Sequence, residues 1–278
     1  MENDIVLSAE NLITGYGKEN IVLSDVSFAV KKGEMVGIIG ANGAGKSTLL
    51  KSLRGLLSPL GGQVFINGRS AETYNDRELA CEVAYLQQTM EVAFGYSARE
   101  IVMAGRYPRL HWWEKEKERD REIVDICMEY VGVKDLADKS IMNMSGGQRQ
   151  RVLLAKILAQ QTPILFLDEP ATGLDIFYQE EIYRFCRELC AAGKTVLMVV
   201  HELSLAARFC SRLLMIGEGK ILADGVPAVI MNEKNMSQVY KVPIKVVNNE
   251  QTGSLEFFTE SMAGDNRRKQ LLEAIING

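Results

Sequence analysis

The sequence predicts an α/β fold built on a mostly parallel sheet, with a small antiparallel β subdomain ahead of it and a helical subdomain inserted within it. Three observations carry that prediction. Short apolar runs, EMVGIIG at 34–40, PILFLDEP at 163–170 and TVLMVVH at 195–201, have the length and the near-continuous hydrophobicity of strands buried on both faces. Helical stretches alternate with them, the signature of parallel strands joined by crossovers. From about residue 90 to 160 the alternation is interrupted by a long helical segment.

Taken in order, residues 5–30 alternate apolar and polar positions around turns, as in a small antiparallel sheet. The run at 34–40 passes directly into a glycine-rich loop, and Lys46–Leu57 reads as a helix. GGQVFING at 61–68 reads as a strand ending in a turn, and VAYLQQ at 83–88 as another. The charged run at 114–122 is the solvated face of a helix, and GGQRQRVLLAKILAQ continues the helical segment to Gln160. The strand at 163–170 is followed by a helix over about 177–192, the strand TVLMVVH, another helix and a hairpin around Gly217–Gly219. After about 240 the character changes. The expectation is one domain over 1–240 and a tail over 241–278, with a short hairpin in KVPIKVVNNEQTGSLEFF and a terminal helix in RRKQLLEAIING.

Composition limits the function classes. The chain of 278 residues is 47% hydrophobic and 24% charged, ordinary for a globular protein. A net charge of −4 and a pI near 5.5 give no global attraction for nucleic acid. No stretch approaches the ~20 apolar residues that span a bilayer, and MENDIVLSAE is not a signal peptide. Five scattered cysteines without a Cys-x-x-Cys pair read as reduced thiols.

The chemistry concentrates in two glycine-rich turns. GANGAGKST at 40–48 fits the phosphate-loop pattern, with strand before and helix after. Gly43 and Gly45 let backbone amides close on phosphate oxygens, and the helix N-terminus adds a positive dipole. Lys46 reaches the β- and γ-phosphates, and Ser47 can ligate Mg²⁺. The loop in this context is that of a P-loop NTPase. Asp168 and Glu169 end an apolar strand at the edge that faces the ligand crevice, where Asp168 would hold the Mg²⁺ shell and Glu169 would act on water. His201 ends another strand and is a candidate donor to the γ-phosphate. The second turn, MSGGQ at 144–148, opens a helix roughly a hundred residues after the first.

Together, these motifs, in this order, resemble the ABC ATPase family over about residues 5–240: GANGAGKST as Walker A, ILFLDE as Walker B, MSGGQ as the signature. The resemblance implies that the α/β core is of the RecA-like kind. It implies that two copies pair head to tail, and that Ser145, Gly146, Gly147 and Gln148 of one cap the ATP held by the other. It implies ATP contacts from Gly40, Asn42, Gly43, Ala44, Gly45, Lys46, Ser47 and Thr48, with Tyr16 stacking on adenine. It implies catalysis by Glu169, His201, Gln88 and Lys46, and magnesium held by Ser47, Gln88 and Asp168. Gln87 stays open as the alternative to Gln88. Asp175, in ATGLD, corresponds to the acid of the loop that crosses the dimer. Met144 stands where leucine is frequent, and Glu202 follows His201 where aspartate is frequent.

SAREIVMAGRYPRL at 97–110 and VYKVPIKVVNNEQTG at 239–253 are similar to the members that import iron–siderophore complexes, haem or cobalamin. That similarity implies integral membrane permease subunits, an extracytoplasmic substrate-binding protein and a peripheral position on the cytoplasmic face of the membrane. It implies a permease helix docking near Gln88, with Arg106, Tyr107 and the HWW at 111–113 close by in sequence; Trp112 and Trp113 could equally pack the helical subdomain. The rival readings are an exporter ATPase and a non-transport ABC protein acting on DNA or ribosomes. Against the latter stand the absence of sustained heptads between Thr48 and Ser145, a single GKST with a single SGGQ, and the acidic pI.

Overall fold

Period-two alternation in the apolar strands decides the layers. In the computed structural model, which describes residues 4–88, 95–111, 113–250, 254–259 and 273–276, successive strand residues enter two different hydrophobic cores. The chain opens with β1 (Ile5–Gly15) and β2 (Ile21–Lys31), which pair antiparallel, and then enters β3 (Met35–Gly40). In β3, Val36 and Ile38 face one core while Met35 and Ile39 face the other.

Helix α1 (Lys46–Leu53) follows the glycine loop. Its eight residues are too few for an autonomous helix. Packing holds it instead: Leu49, Leu50 and Leu53 are fully buried, each worth about 1.5–3 kcal/mol. Ser52 also shares a hydrogen bond with Thr14 of β1. The helix stops four residues short of the expected Leu57. Gly55 turns left-handed at φ +74°, and the Leu56 amide folds back to Lys51 O at 2.9 Å.

Strands β4 (Gly61–Ile66) and β5 (Arg69–Ser70) complete an antiparallel sheet in the order β2-β1-β4-β5. Helix α2 (Asp76–Glu82), for which the sequence pattern gave no expectation, is set by an Asn75/Glu78 capping box. It leads into β6 (Val83–Leu86), which ends two residues before the expected 88. The helical segment then contributes α3 (Ala98–Met103), α4 (Glu118–Tyr130) and α5 (Gly146–Gln160), packed on one another.

Strand β7 (Ile164–Asp168), helix α6 (Ile176–Ala191), strand β8 (Thr195–Val199), helix α7 (Leu203–Phe209) and the hairpin β9 (Arg212–Gly217)/β10 (Lys220–Gly225) finish the central sheet. Its order is β10-β9-β3-β8-β7-β6, parallel throughout except for β10. One face packs against the antiparallel sheet and α1. The other packs against the helical segment, α6 and α7, together with α8 (Pro227–Ile230) and α9 (Glu233–Tyr240). The expected hairpin is β11 (Ile244–Asn248) with β12 (Leu255–Thr259), and β12 rests on α7. Of the expected terminal helix only 273–276 are described, and they are helical.

Candidate active site

Four parallel strands deliver their C-terminal ends to one edge. The glycine loop leaves β3, His201 follows β8, Asp168 and Glu169 end β7, and Gln88 follows β6. An open cleft of about 700 Å³ lies along that edge, of a size that takes a nucleotide. Tyr16, Asn42, Gly43, Gly45, Lys46, Ser47, Thr48, Gln88, Glu169 and His201 line it.

The loop is shaped by close approach. A Cβ on Gly40 would meet Ile216 O at 2.3 Å, and Gly45, the N-cap of α1, stands at φ +100°, where L side chains are strained. The Ala44 amide turns back to Ala41 O at 3.1 Å. Lys46 is buried and spans the loop, donating to Gly40 O at 2.8 Å and Ala41 O at 3.0 Å. Burial lowers its pKa, and the charges of Glu169 and Asp168 oppose that shift. Tyr16 is exposed, with its hydroxyl 3.5 Å from Thr48 Oγ1, so its ring borders the cleft at the start of α1.

The two acids have different surroundings. Asp168 is buried; Ser47 Oγ donates to its Oδ1 at 2.8 Å and Tyr85 OH to its Oδ2 at 3.1 Å. Burial raises the Asp168 pKa, and these two hydrogen bonds oppose the rise. Burial and the Asp168 carboxylate push the Tyr85 phenol far above its ordinary value, which keeps it a donor. Glu169 stands at φ +53°, an uncommon conformation for a non-glycine residue, and turns its carboxylate into the cleft. Gln88 Nε2 donates to Glu169 Oε2 at 2.6 Å, Thr172 Oγ1 to the same oxygen at 3.2 Å, and His201 Nε2 lies 2.5 Å from Oε1. Gln88, rather than Gln87, makes this contact.

The oxygens of Ser47 and Asp168 are hard donors of the kind magnesium takes. Among the described residues no cluster of three or more His, Cys, Asp or Glu could cage an ion.

The second glycine turn lies elsewhere. None of Ser145, Gly146, Gly147 and Gln148 is among the described residues lining the cleft. Ser145 caps α5: the Gln148 amide donates to Ser145 Oγ at 3.3 Å, and the Ser145 amide to Gln148 Oε1 at 3.2 Å. A fifteen-residue helix thus presents an exposed N-terminus with glycines at its first two positions, a ready anion site. Asp175 caps α6, accepting from the Tyr178 amide at 3.1 Å, and the adjoining Ile176 and Phe177 are exposed.

Arg106, expected by sequence to lie near the permease-docking region, has a structural role in the helical segment. It is buried, bonded through Nε to Asp120 Oδ1 at 2.9 Å and through Nη1 to Ala159 O at 2.6 Å. Tyr107 and Trp113 are exposed, Trp113 stacked on His111; Trp112 lies outside the described residues. Sequence reasoning missed Tyr85, Thr172 and Gln179 at or beside the cleft, and attached no role to Glu202, which also lines it. Tyr85 had a signal: a lone phenol in an apolar buried strand needs a hydrogen-bond partner.

A family profile described as ABC transporter matches residues 23–172. The iron(3+)-hydroxamate import ATP-binding protein FhuC of Bacillus subtilis is 35% identical over 247 residues, 88% of this chain and 91% of its own length. The hemin import ATP-binding protein HmuV of Nocardia farcinica is 36% identical over 256 residues, 90% of this chain and 88% of its own. Among solved structures, an ABC transporter chain in an inward-facing conformation superposes with a TM-score of 0.81 at 25% identity, covering 93% of this chain and 99% of that one. A dimeric ATP-binding cassette in a post-hydrolysis state, bound to ADP and Pi, gives a TM-score of 0.71 at 27% identity over 80% of this chain and 98% of that one. With the motifs, the cleft and these similarities in agreement, the chain belongs to the ABC transporter family.

Proposed function

We propose that this ATPase energises import of a ferric siderophore, haem or cobalamin by closing as a head-to-tail dimer around two ATP molecules. The observation that carries the dimer is the separation of the two glycine turns. The phosphate loop and Glu169 share one cleft, with Asp168 buried behind Ser47, while the capped N-terminus of α5 contributes nothing to it. A second copy supplies the missing cap: Ser145 and the Gly146 and Gly147 amides of one chain meet the ATP of the other. Two-fold pairing makes two equivalent sites. The exposed Ile176 and Phe177 beside Asp175 provide apolar surface for that pairing.

Within each site the chemistry is hydrolysis by in-line attack of water on the γ-phosphorus, with the bond to ADP breaking. The protein positions groups and offsets charge. Lys46 and the loop amides hold the phosphates, and Tyr16 carries the adenine. Gln88 and His201 hold the Glu169 carboxylate where it orients and deprotonates the water. Ser47 and Asp168 are the ligands for magnesium, with Gln88 beside them; the ion supplies charge neutralisation on the phosphate oxygens when bound. Closure depends on ATP, and hydrolysis releases it.

Among the described residues no helix is long and apolar enough to cross a membrane, so permease subunits supply the path and hold this chain at the cytoplasmic face. An extracytoplasmic binding protein delivers the cargo. Relatives named for iron(3+)-hydroxamate and hemin import support this cargo class. The test is growth and uptake by a deletion strain on single ferric siderophores, haem or cobalamin, complemented with wild type or Lys46→Ala. Loss of one source, restored only by wild type, is the expected result. Normal uptake of every source in the deletion strain contradicts the proposed cargo.

A further inference from the structure

We propose that Tyr85 is a positioning residue for the magnesium site, fixing the Asp168 carboxylate and joining it to the Gln88 loop. The proposal rests on the reading of Asp168 as a magnesium ligand. Asp168 is buried and has two hydrogen-bond donors on opposite oxygens, Ser47 on Oδ1 and Tyr85 on Oδ2. Ser47 is itself a ligand candidate: its oxygen can take an ion while its O–H still donates to Oδ1, so its position is tied to that ion. Tyr85 has no such second duty.

Its strand gives it a rigid base. β6 is hydrogen-bonded to β7 with Tyr85 in register with Phe166 and Leu86 with Leu167, so Tyr85 and Asp168 are carried by neighbouring strands of one sheet. The Tyr85 ring packs on the core that also buries α1, the helix bearing Ser47. Two residues beyond the end of β6, Gln88 reaches Glu169 at 2.6 Å. β6 and the two residues after it thus touch both acids, Asp168 through Tyr85 and Glu169 through Gln88. A displacement of the Gln88 loop is transmitted to the carboxylate that holds the metal as well as to the one that acts on water. Groups that orient a metal ligand without touching the metal typically contribute about 10–100-fold to its affinity.

The test uses the full chain with Tyr85→Phe, which keeps the ring and removes the hydroxyl. Mn²⁺ binding to the ATP-bound protein is measured by electron paramagnetic resonance. ATP binding is measured in EDTA, and the Mg²⁺ dependence of ATPase activity alongside. Expected are about tenfold weaker Mn²⁺ binding, a matching rise in the Mg²⁺ needed for half-maximal turnover, and metal-free ATP affinity within about twofold of wild type. Tyr74→Phe, which removes another half-buried phenol from the same core, should move none of these. Unchanged Mn²⁺ affinity in Tyr85→Phe overturns the proposal. So does an equal loss of metal-free ATP binding, which would mark a general packing role. Asp168→Asn separates the two readings. If it keeps full Mn²⁺ affinity, the reading of Asp168 fails and the proposal with it. If it loses the metal while Tyr85→Phe does not, the Tyr85 proposal alone fails.

Discussion

Glu169 occupies a backbone conformation that few side chains adopt and has donors on both oxygens, Gln88 and Thr172 on one and His201 on the other. Such a constellation fixes a carboxylate in direction, which a group acting on water requires. Glu169→Gln keeps the shape and removes the base. Its ATP hydrolysis, followed by phosphate release, should fall by about 10²–10⁴-fold with ATP binding retained. Near-normal turnover would remove Glu169 from its role. At this scale the sequence was most legible where a residue type has few uses: Lys46 in its loop, paired acids at a strand end, His201 at another. Tyr85 signalled only that its phenol needs some partner, and Thr172 signalled nothing, because a threonine in a loop has many ordinary uses. Only the fold discloses which carboxylate each one meets.

The elements that hold the site differ in what stabilises them. The central strands are buried on both faces and could be read from their apolar runs. Short helices such as α2 were invisible to periodicity, because seven residues show barely two turns, and a capping box at Asn75 fixed this one. The helical segment depends on a polar contact that spacing cannot reveal. Arg106, between α3 and α4, ties Asp120 of α4 to the carbonyl of Ala159 in α5. Burial alone would raise the Asp120 pKa, but bonds from Arg106 and the Lys117 amide outweigh it and hold the carboxyl below its ordinary value. A carboxylate depressed in the folded state contributes stability that is complete above its unfolded pKa and lost as pH falls through the folded one. Arg106→Ala should therefore cost about 3–5 kcal/mol near neutral pH, lowering the melting temperature by roughly 10 °C. The difference from wild type should narrow below about pH 4. Melting curves across pH check this; an equal penalty at pH 7 and pH 3 would count against the ion pair.

At the scale of the whole molecule, a single chain brings together one complete phosphate cradle and one exposed helix N-terminus that the cradle does not use. The order of motifs was readable in the sequence. Their separation in space was implied only by the resemblance, and its physical cause, a helical segment that keeps the start of α5 out of the cleft lining, is visible only in the fold. The central claim is that the N-terminus of α5 completes the ATP site of a second copy. The most direct test is the solution mass of Glu169→Gln, alone and combined with Ser145→Arg, with and without saturating ATP. Replacing the Ser145 cap costs only about 1 kcal/mol of helix stability, too little to unfold the domain. The account predicts that ATP shifts Glu169→Gln from 30.9 kDa to twice that mass, and that the double variant stays at 30.9 kDa while still binding ATP. A Glu169→Gln protein that remains monomeric in ATP, or a double variant that pairs as well as the single one, would contradict it.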